Sequence, residues 1–268
     1  MKPTAFEQIS NGFFIDPDFK QVLLTLGLIG MDAVFSFTGG QPLQKAGLSS
    51  YRSRLRIERS DGPALYLKRY VDVPPVVQIK NWLTCGKRRA ACDMDRLPGQ
   101  DLAAIHIQTP KIIAYGIQWN GLFEKRSFLL TEEIPGTSLE KHLPDCLSRV
   151  DPLEPVGRRR EFLAKMADWI GVFHRAGFCH RDLYLCHIFL TEQKDLVLID
   201  LHRTFKPHLF KTRYRIKDLA QLYFSSPGQA ISRSDRMRFY LRYAGHKKLT
   251  HRDRRLIRKI KRKAWRMA

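Results

Sequence analysis

The spacing of hydrophobic and polar residues changes period part-way along the chain. From Tyr51 to Arg59 the two kinds alternate, Tyr51, Ser53, Leu55 and Ile57 against Arg52, Arg54, Arg56 and Glu58. That period of two predicts a half-buried strand. Ser60-Asp61-Gly62-Pro63 is a turn signal, and Ala64 to Tyr70 predicts the returning strand. Upstream, Ala33 to Phe37 is a short apolar run ending at Gly39-Gly40, so residues 33–70 read as an antiparallel meander. Lys87 to Ala104 has helical spacing interrupted at Pro98-Gly99. Two more strands are predicted over Lys111–Gly116 and Ser127–Glu132, and Pro135-Gly136 closes the β-rich region.

Beyond a loop-rich stretch around Pro144 to Pro155, the period becomes helical. Arg159 to Ala176 puts Phe162, Met166, Trp169, Ile170 and Phe173 on one face, and Gly177 stands where a helix C-cap glycine belongs. A polar turn at 180–182, an apolar stretch Leu183–Leu190, a strand Asp195–Leu201 and further helices follow. The predicted fold class is α+β and bilobal. Residues 1–134 form a β-rich N-terminal lobe and residues 135–268 a helical C-terminal lobe.

Composition and charge narrow the partners. The 268 residues are 44% hydrophobic and 11% aromatic, which supplies a core and excludes general disorder. A net charge of +21 and a pI near 10.1 point to a polyanionic partner: nucleic acid, an anionic membrane face or a phosphorylated substrate. The excess is uneven, because Lys247 to Arg266 holds eleven basic residues against one acid, Asp253. Leu256, Ile257, Ile260, Ala264 and Met267 recur there at helical spacing, with Trp265 at the edge, predicting a basic amphipathic helix suited to an anionic membrane surface. No helix-turn-helix, zinc or aromatic RNA-binding signature accompanies the charge, so no nucleic acid partner is expected. The five cysteines form no C-x-x-C pair, which fits a reducing compartment. The first residues are mixed polar and the apolar run Val22–Met31 is only ten residues, so the expected location is cytoplasmic with peripheral membrane contact.

Four positions in fixed order carry candidate chemistry: Lys68, Asp182, His187 and Asp200. Phosphoryl transfer from ATP needs a cation on the nucleotide phosphates, a carboxylate to take the acceptor proton, and anchors for magnesium. Lys68 ends the strand Leu65-Tyr66-Leu67-Lys68 and is the candidate phosphate cation. Asp182 of His180-Arg181-Asp182-Leu183 is the candidate base, with His180 and Arg181 grouped with it as catalytic-loop residues. His187 and Asp200, the latter closing Leu196-Val197-Leu198-Ile199, are the candidate metal ligands. The order matches the protein-kinase pattern of a strand lysine, H-R-D-L-x-x-x-N and D-F-G, with His187 in the asparagine slot. A tripeptide alone means little: His251-Arg252-Asp253 repeats it in the basic tail without a following strand, and reads as a solvated helix start.

The runs His180-Arg181-Asp182-Leu183-Tyr184-Leu185-Cys186-His187-Ile188-Phe189-Leu190, Ile199-Asp200-Leu201-His202-Arg203 and Lys217-Asp218-Leu219-Ala220 resemble the lipopolysaccharide core heptose kinase family. So do Thr109-Pro110-Lys111-Ile112-Ile113-Ala114-Tyr115-Gly116 and the strand to Lys68-Arg69-Tyr70. That family is similar to the 3-deoxy-manno-octulosonic acid kinases and, more distantly, to protein kinases. The resemblance implies a protein-kinase-like fold, ATP and Mg2+ as cofactors, and phosphorylation of a heptose hydroxyl on a lipopolysaccharide core glycolipid at the inner membrane. It also implies that Asp218 is a buried support for the catalytic loop.

The sequence departs from the kinase pattern in two places. Gly39-Gly40 and Gly47 do not make a G-x-G-x-x-G loop, for which Ser49-Ser50 could substitute, and no Glu lies between Lys68 and Glu124 to pair the lysine. Asp93 and Asp95 are the available carboxylates, Asp93 having the better spacing. Lys68, Asp93, Glu132 and Ile134 are accordingly the nucleotide-binding candidates, the last two at the end of the first lobe. The departures motivate a pseudokinase scaffold as one rival reading, beside a kinase acting on a protein or another small molecule. Only seventeen residues separate Asp200 from Asp218 and no A-P-E run occurs, which disfavours a peptide acceptor.

Overall fold

The computed structural model describes residues 5–43, 49–146, 156–226, 228 and 231–267. Gly47 lies outside them. The chain divides into two compact units, one of Met1–Ala103 with Pro110–Pro135, the other of Ala104–Thr109 with Gly136–Ala268.

The first unit runs β1 (Glu7–Ser10), β2 (Phe13–Ile15), α1 (Lys20–Thr25), α2 (Met31–Ser36), β3 (Gln41–Pro42), β4 (Arg52–Ile57), β5 (Leu65–Val71), α3 (Pro75–Cys85), α4 (Asp93–Ala103), β6 (Ile112–Asn120) and β7 (Phe123–Glu132). Its strands form one antiparallel sheet in the order β1-β2-β6-β7-β5-β4-β3. β5 is held on both sides, Lys68 opposite Arg54 of β4 and Leu129 of β7. Leu65 and Leu67 point into a core with Phe13, Ile15, Leu55, Ile57 and Phe128. Each such leucine contributes about 1.5–3 kcal/mol by burial, so β5 is a stiff platform for the lysine on its other face.

Three parts of this unit differ from the sequence expectation. Ala33 to Ser36 is helical rather than extended, with only Phe37 extended at its end. Val34 packs into the core, and the carbonyls of Val34, Phe35 and Phe37 accept hydrogen bonds from Arg69 Nη1 at 3.1, 3.1 and 2.9 Å. A guanidinium on β5 thus satisfies the end of α2, where cations are favoured. Pro98 and Gly99 do not break α4; both are buried inside it, so packing outweighs the lost backbone hydrogen bond. β1 and β2 extend the sheet where only mixed polar residues were read.

The second unit runs β8 (Gly136–Ser138), α5 (Leu139–Cys146), α6 (Val156–Arg175), β9 (Ile188–Thr191), β10 (Leu196–Leu198), α7 (Lys211–Ser225), α8 (Arg233–Ala244) and α9 (His251–Trp265). Its small sheet has the order β10-β9-β8. The result is a mixed fold with a sheet-rich first unit and a helical second one, the α+β class and kinase-like arrangement predicted. No helix among the described residues is long and apolar enough to cross a membrane.

Candidate active site

Lys68 and Tyr70 lie two residues apart on β5 and so share a face. Lys68 Nζ donates to Asp95 Oδ2 at 2.9 Å, and the Tyr70 hydroxyl reaches the same oxygen at 3.4 Å. Burial, then the Asp95 charge, push the Tyr70 phenol well up, so it stays a neutral donor. Asp95 rather than Asp93 therefore pairs the lysine. Asp93 turns to Arg96, which donates through Nε at 2.8 Å and Nη2 at 2.6 Å. The start of α4 is set from β7, because the Ala91 amide donates to Glu124 (2.7 Å) and the Cys92 amide to Ser127 Oγ (3.2 Å). Anchored there, the helix presents its third residue, not its first, to β5.

Glu132 and Ile134 flank Glu133 where the chain leaves β7. The Glu132 amide is committed to the Lys111 carbonyl at 2.9 Å, and its carboxylate lies 4.0 Å from Arg59. Ile134 has no backbone hydrogen bond among the described residues. Between them Glu133 takes a two-point contact from Arg56 (2.9 and 2.7 Å) and the Tyr66 hydroxyl (2.7 Å). The Arg56 bond holds its carboxyl below the ordinary value. Sequence reading passed over Glu133 because its partners lie on distant strands.

In the second unit the 180–187 loop has almost no regular structure, yet much of its backbone is tied down by hydrogen bonds. α7 presents Asp218, Gln221 and Ser225 on one face, at positions i, i+3 and i+7. Asp218, fully buried, accepts from the amides of His180 (Oδ2) and Arg181 (Oδ1), both at 2.8 Å. Gln221 accepts from the Leu183 amide at 3.1 Å and donates to the Arg181 carbonyl at 2.9 Å. Ser225 accepts from the Leu185 amide at 3.0 Å, and Lys217 Nζ donates to the Arg181 carbonyl. Each such bond is worth about 1 kcal/mol net, more where a charge takes part. The set holds Arg181 at φ 67°, a left-handed conformation a non-glycine residue rarely adopts. Asp182 follows from this bend.

The other loop residues sort by what they touch. His180 is fully buried, and its Nε2 donates to the Ile199 carbonyl at 3.0 Å. Burial pushes its imidazole down, so the ring stays neutral. The Arg181 guanidinium lies over the rings of Phe205 and Tyr214, at 5.4 and 5.9 Å. Both side chains, expected among the catalytic residues, meet groups of the protein around the loop. Asp182 is partly exposed and receives Arg203 Nη1 on both oxygens, at 3.0 and 2.8 Å.

His187 Nδ1 donates to the Asp182 carbonyl at 2.7 Å, leaving Nε2 3.8 Å from Asp200 Oδ2. Burial pulls its pKa down, but the Cys186 thiol, the Asp182 carbonyl and Asp200 outweigh that and push it up to about 9. Asp200 leaves β10 in the left-handed region (φ 56°) and opens a single 3-10 turn, Leu201–Arg203. No cluster of three or more His, Cys, Asp or Glu that could hold a metal ion occurs among the described residues. Of the two candidate ligands, Asp200 offers the carboxylate oxygen that magnesium takes alongside phosphate oxygens and water, whereas His187 offers a nitrogen. As a ligand His187 has to give up a proton, which makes Asp200 the stronger of the two.

A strand lysine paired to a helical aspartate, and a loop aspartate upheld by a buried aspartate on a following helix, define the class as protein-kinase-like. A family model described as "Lipopolysaccharide kinase (Kdo/WaaP) family" matches residues 80–243, and the chain belongs to that family. The "Lipopolysaccharide core heptose(I) kinase WaaP" of Pseudomonas aeruginosa is 35% identical over 145 residues, 51% of this chain and 53% of that protein; the alignment thus spans about half that relative's length. The protein of the same name from Escherichia coli is 32% identical over 202 residues, 72% of this chain and 75% of its own length. A solved structure, "WaaP in complex with acyl carrier protein", is 27% identical with a TM-score of 0.68, covering 95% of this chain and 98% of that one.

Proposed function

We propose that this chain transfers the γ-phosphoryl group of ATP to a heptose hydroxyl of the lipopolysaccharide inner core. The observation that carries this reading is the loop held by α7, whose side chains take the His180, Arg181, Leu183 and Leu185 amides on either side of Asp182. In the reaction the acceptor oxygen bonds to the γ-phosphorus while the bond to the βγ-bridging oxygen breaks. ADP leaves with that electron pair, and the hydroxyl proton passes to Asp182. Lys68, held by Asp95, balances charge on the nucleotide phosphates. Asp200 and His187 would hold magnesium, which when bound neutralises charge on phosphate oxygens. The uncommitted backbone of Ile134 is suited to hydrogen-bond the adenine.

The place of action would be the cytoplasmic face of the inner membrane, with contact through α9. Ile260 and Ala264 of that helix are buried, so its apolar stripe is spent on the protein core rather than on lipid. What α9 offers a membrane is its exposed basic face, including Arg254, Arg258 and Arg262, and Trp265, 76% exposed. Each basic side chain near an anionic leaflet contributes about 1 kcal/mol, enough collectively for peripheral binding.

Mass spectrometry of core oligosaccharide from a strain lacking this gene tests the proposal. One phosphate should disappear from a single heptose and return on complementation. Unchanged core phosphorylation would contradict it.

A further inference from the structure

Arg203 is the last residue of the turn that Asp200 opens. Its backbone is fixed on both sides. Leu201 is buried, the Thr204 amide donates to the Leu201 carbonyl at 2.7 Å, and Phe205 exchanges two backbone hydrogen bonds with Cys179 at 2.9 and 3.0 Å. From there the guanidinium reaches Asp182 through one nitrogen only. Nη1 meets both carboxylate oxygens, while Nε and Nη2 make no hydrogen bond among the described residues. The side chain is 45% exposed. A pair as open as this contributes little to stability, about 0–1 kcal/mol. Nor is it needed to aim the base, since the loop is already held by Asp218, Gln221 and Ser225, and Gln221 Nε2 also lies 3.4 Å from Asp182 Oδ1. What remains is a fixed cation with an unused edge of N–H groups beside the base.

We infer that Arg203 is a catalytic cation that holds Asp182 with one nitrogen and receives the transferring phosphoryl group on its free edge. The inference rests on the function proposed above. An acceptor hydroxyl bonded to Asp182 stands about 3 Å from it, with the phosphorus about 3–3.5 Å further on. The equatorial phosphoryl oxygens then come within reach of Nε and Nη2, where negative charge is spread in the transition state. Because Asp200 and Arg203 belong to one turn, a metal ligand and this cation are delivered by the same piece of backbone. Lys217 Nζ, 3.8 Å from Asp182 Oδ1, donates to the Arg181 carbonyl and so belongs to the loop's support.

The test uses the full chain with ATP, magnesium and a core acceptor carrying an unphosphorylated heptose. Wild type, Arg203→Ala, Arg203→Lys and Asp182→Asn are compared, with thermal melting to verify folding. Arg203→Ala should lose about 10²–10³-fold in kcat, the usual cost of removing one donor to a developing anion, with KM for ATP changed less than about threefold. Added guanidinium chloride at millimolar levels should restore part of that kcat, and Arg203→Lys, a point charge without the fork, should fall between. A wild-type kcat in Arg203→Ala, or a loss that guanidinium leaves untouched, overturns the inference. Undiminished turnover in Asp182→Asn would instead remove the base and the proposed function, whatever Arg203 does.

Discussion

Asp93 and Asp95 differ by two residues in sequence, yet Asp93 pairs with Arg96 and Asp95 with Lys68. Spacing favoured Asp93 on the premise that Pro98-Gly99 is an insertion, whereas both residues are built into the unbroken α4. Asp95→Asn should therefore raise KM for ATP about tenfold, equivalent to roughly 1.4 kcal/mol of lost binding, while Asp93→Asn changes it less than about twofold. Steady-state kinetics with varied ATP decide between the two; the opposite pattern would return the pairing role to Asp93. Lys68, Asp182, His187 and Asp200 were readable as candidates because Lys68 stands in an alternating strand and the other three follow clear elements in the order the kinase pattern requires. Gln221, Ser225 and Glu133 were not, since their value lies in the distant amides and side chains they meet.

Helix α9 shows how an element's role can be half legible. Its charge run reads correctly as a helix start, yet Asp253 of the second His-Arg-Asp tripeptide is buried rather than solvated. It forms a reciprocal cap with Thr250 and accepts from the Tyr240 hydroxyl at 2.9 Å, with His246 Nδ1 2.8 Å away. Burial pushes its carboxyl up, but these hydrogen bonds prevail and hold it well below the ordinary value. A group lowered on folding stabilises the protein above its unfolded pKa, near 3.9 for Asp. That stability is lost as pH falls from there through the lower folded value. The melting temperature of wild type should thus exceed that of Asp253→Asn at pH 7, with the gap narrowing as pH drops below about 4. A gap independent of pH would refute the assignment. Thr250→Ala should cost about 1 kcal/mol by denaturant unfolding.

In the first unit, Gly116 is fixed by contact rather than by backbone conformation. A Cβ there would lie 2.4 Å from the Phe128 ring and 2.5 Å from Met31 Sδ. Gly116→Ala should destabilise by about 1–3 kcal/mol in a urea titration, and a neutral result would mean that α2 packs less tightly on β6 than described. The β1–β2 hairpin carried a readable signal in Asn11-Gly12, a favoured two-residue turn, with Gly12 at φ 72° and a Cβ position 2.2 Å from the Ile117 carbonyl oxygen. Helix α2 carried none. A short apolar run is compatible with strand or helix, and the choice is made by Arg69 from β5.

For the whole molecule, the +21 charge, pI near 10 and basic α9 bear on location and the Asp182 constellation on chemistry. If α9 meets the membrane by charge alone, sedimentation with vesicles containing anionic lipid should fall steeply between 0.1 and 0.5 M salt, by screening over a Debye length that shrinks from about 10 Å. It should fall likewise on replacing Arg254, Arg258 and Arg262 with Gln; binding indifferent to both would exclude α9 as the contact. The fold class was legible because mostly alternating strands before Pro135-Gly136 give way to mostly helical spacing after it, with α4 and the short strands β8 to β10 departing from that division. The support of the catalytic loop was legible only as the resemblance implied it for Asp218. The central claim is that Asp182 is the base of a transfer from ATP to a core heptose. Mass spectrometry of an unphosphorylated core acceptor, incubated with ATP, magnesium and the protein, tests it most directly. Wild type should add one phosphate to a heptose and folded Asp182→Asn should be slower by 10²-fold or more, on the order expected for a lost general base. Equal phosphorylation by the two proteins, or none by wild type, would contradict it.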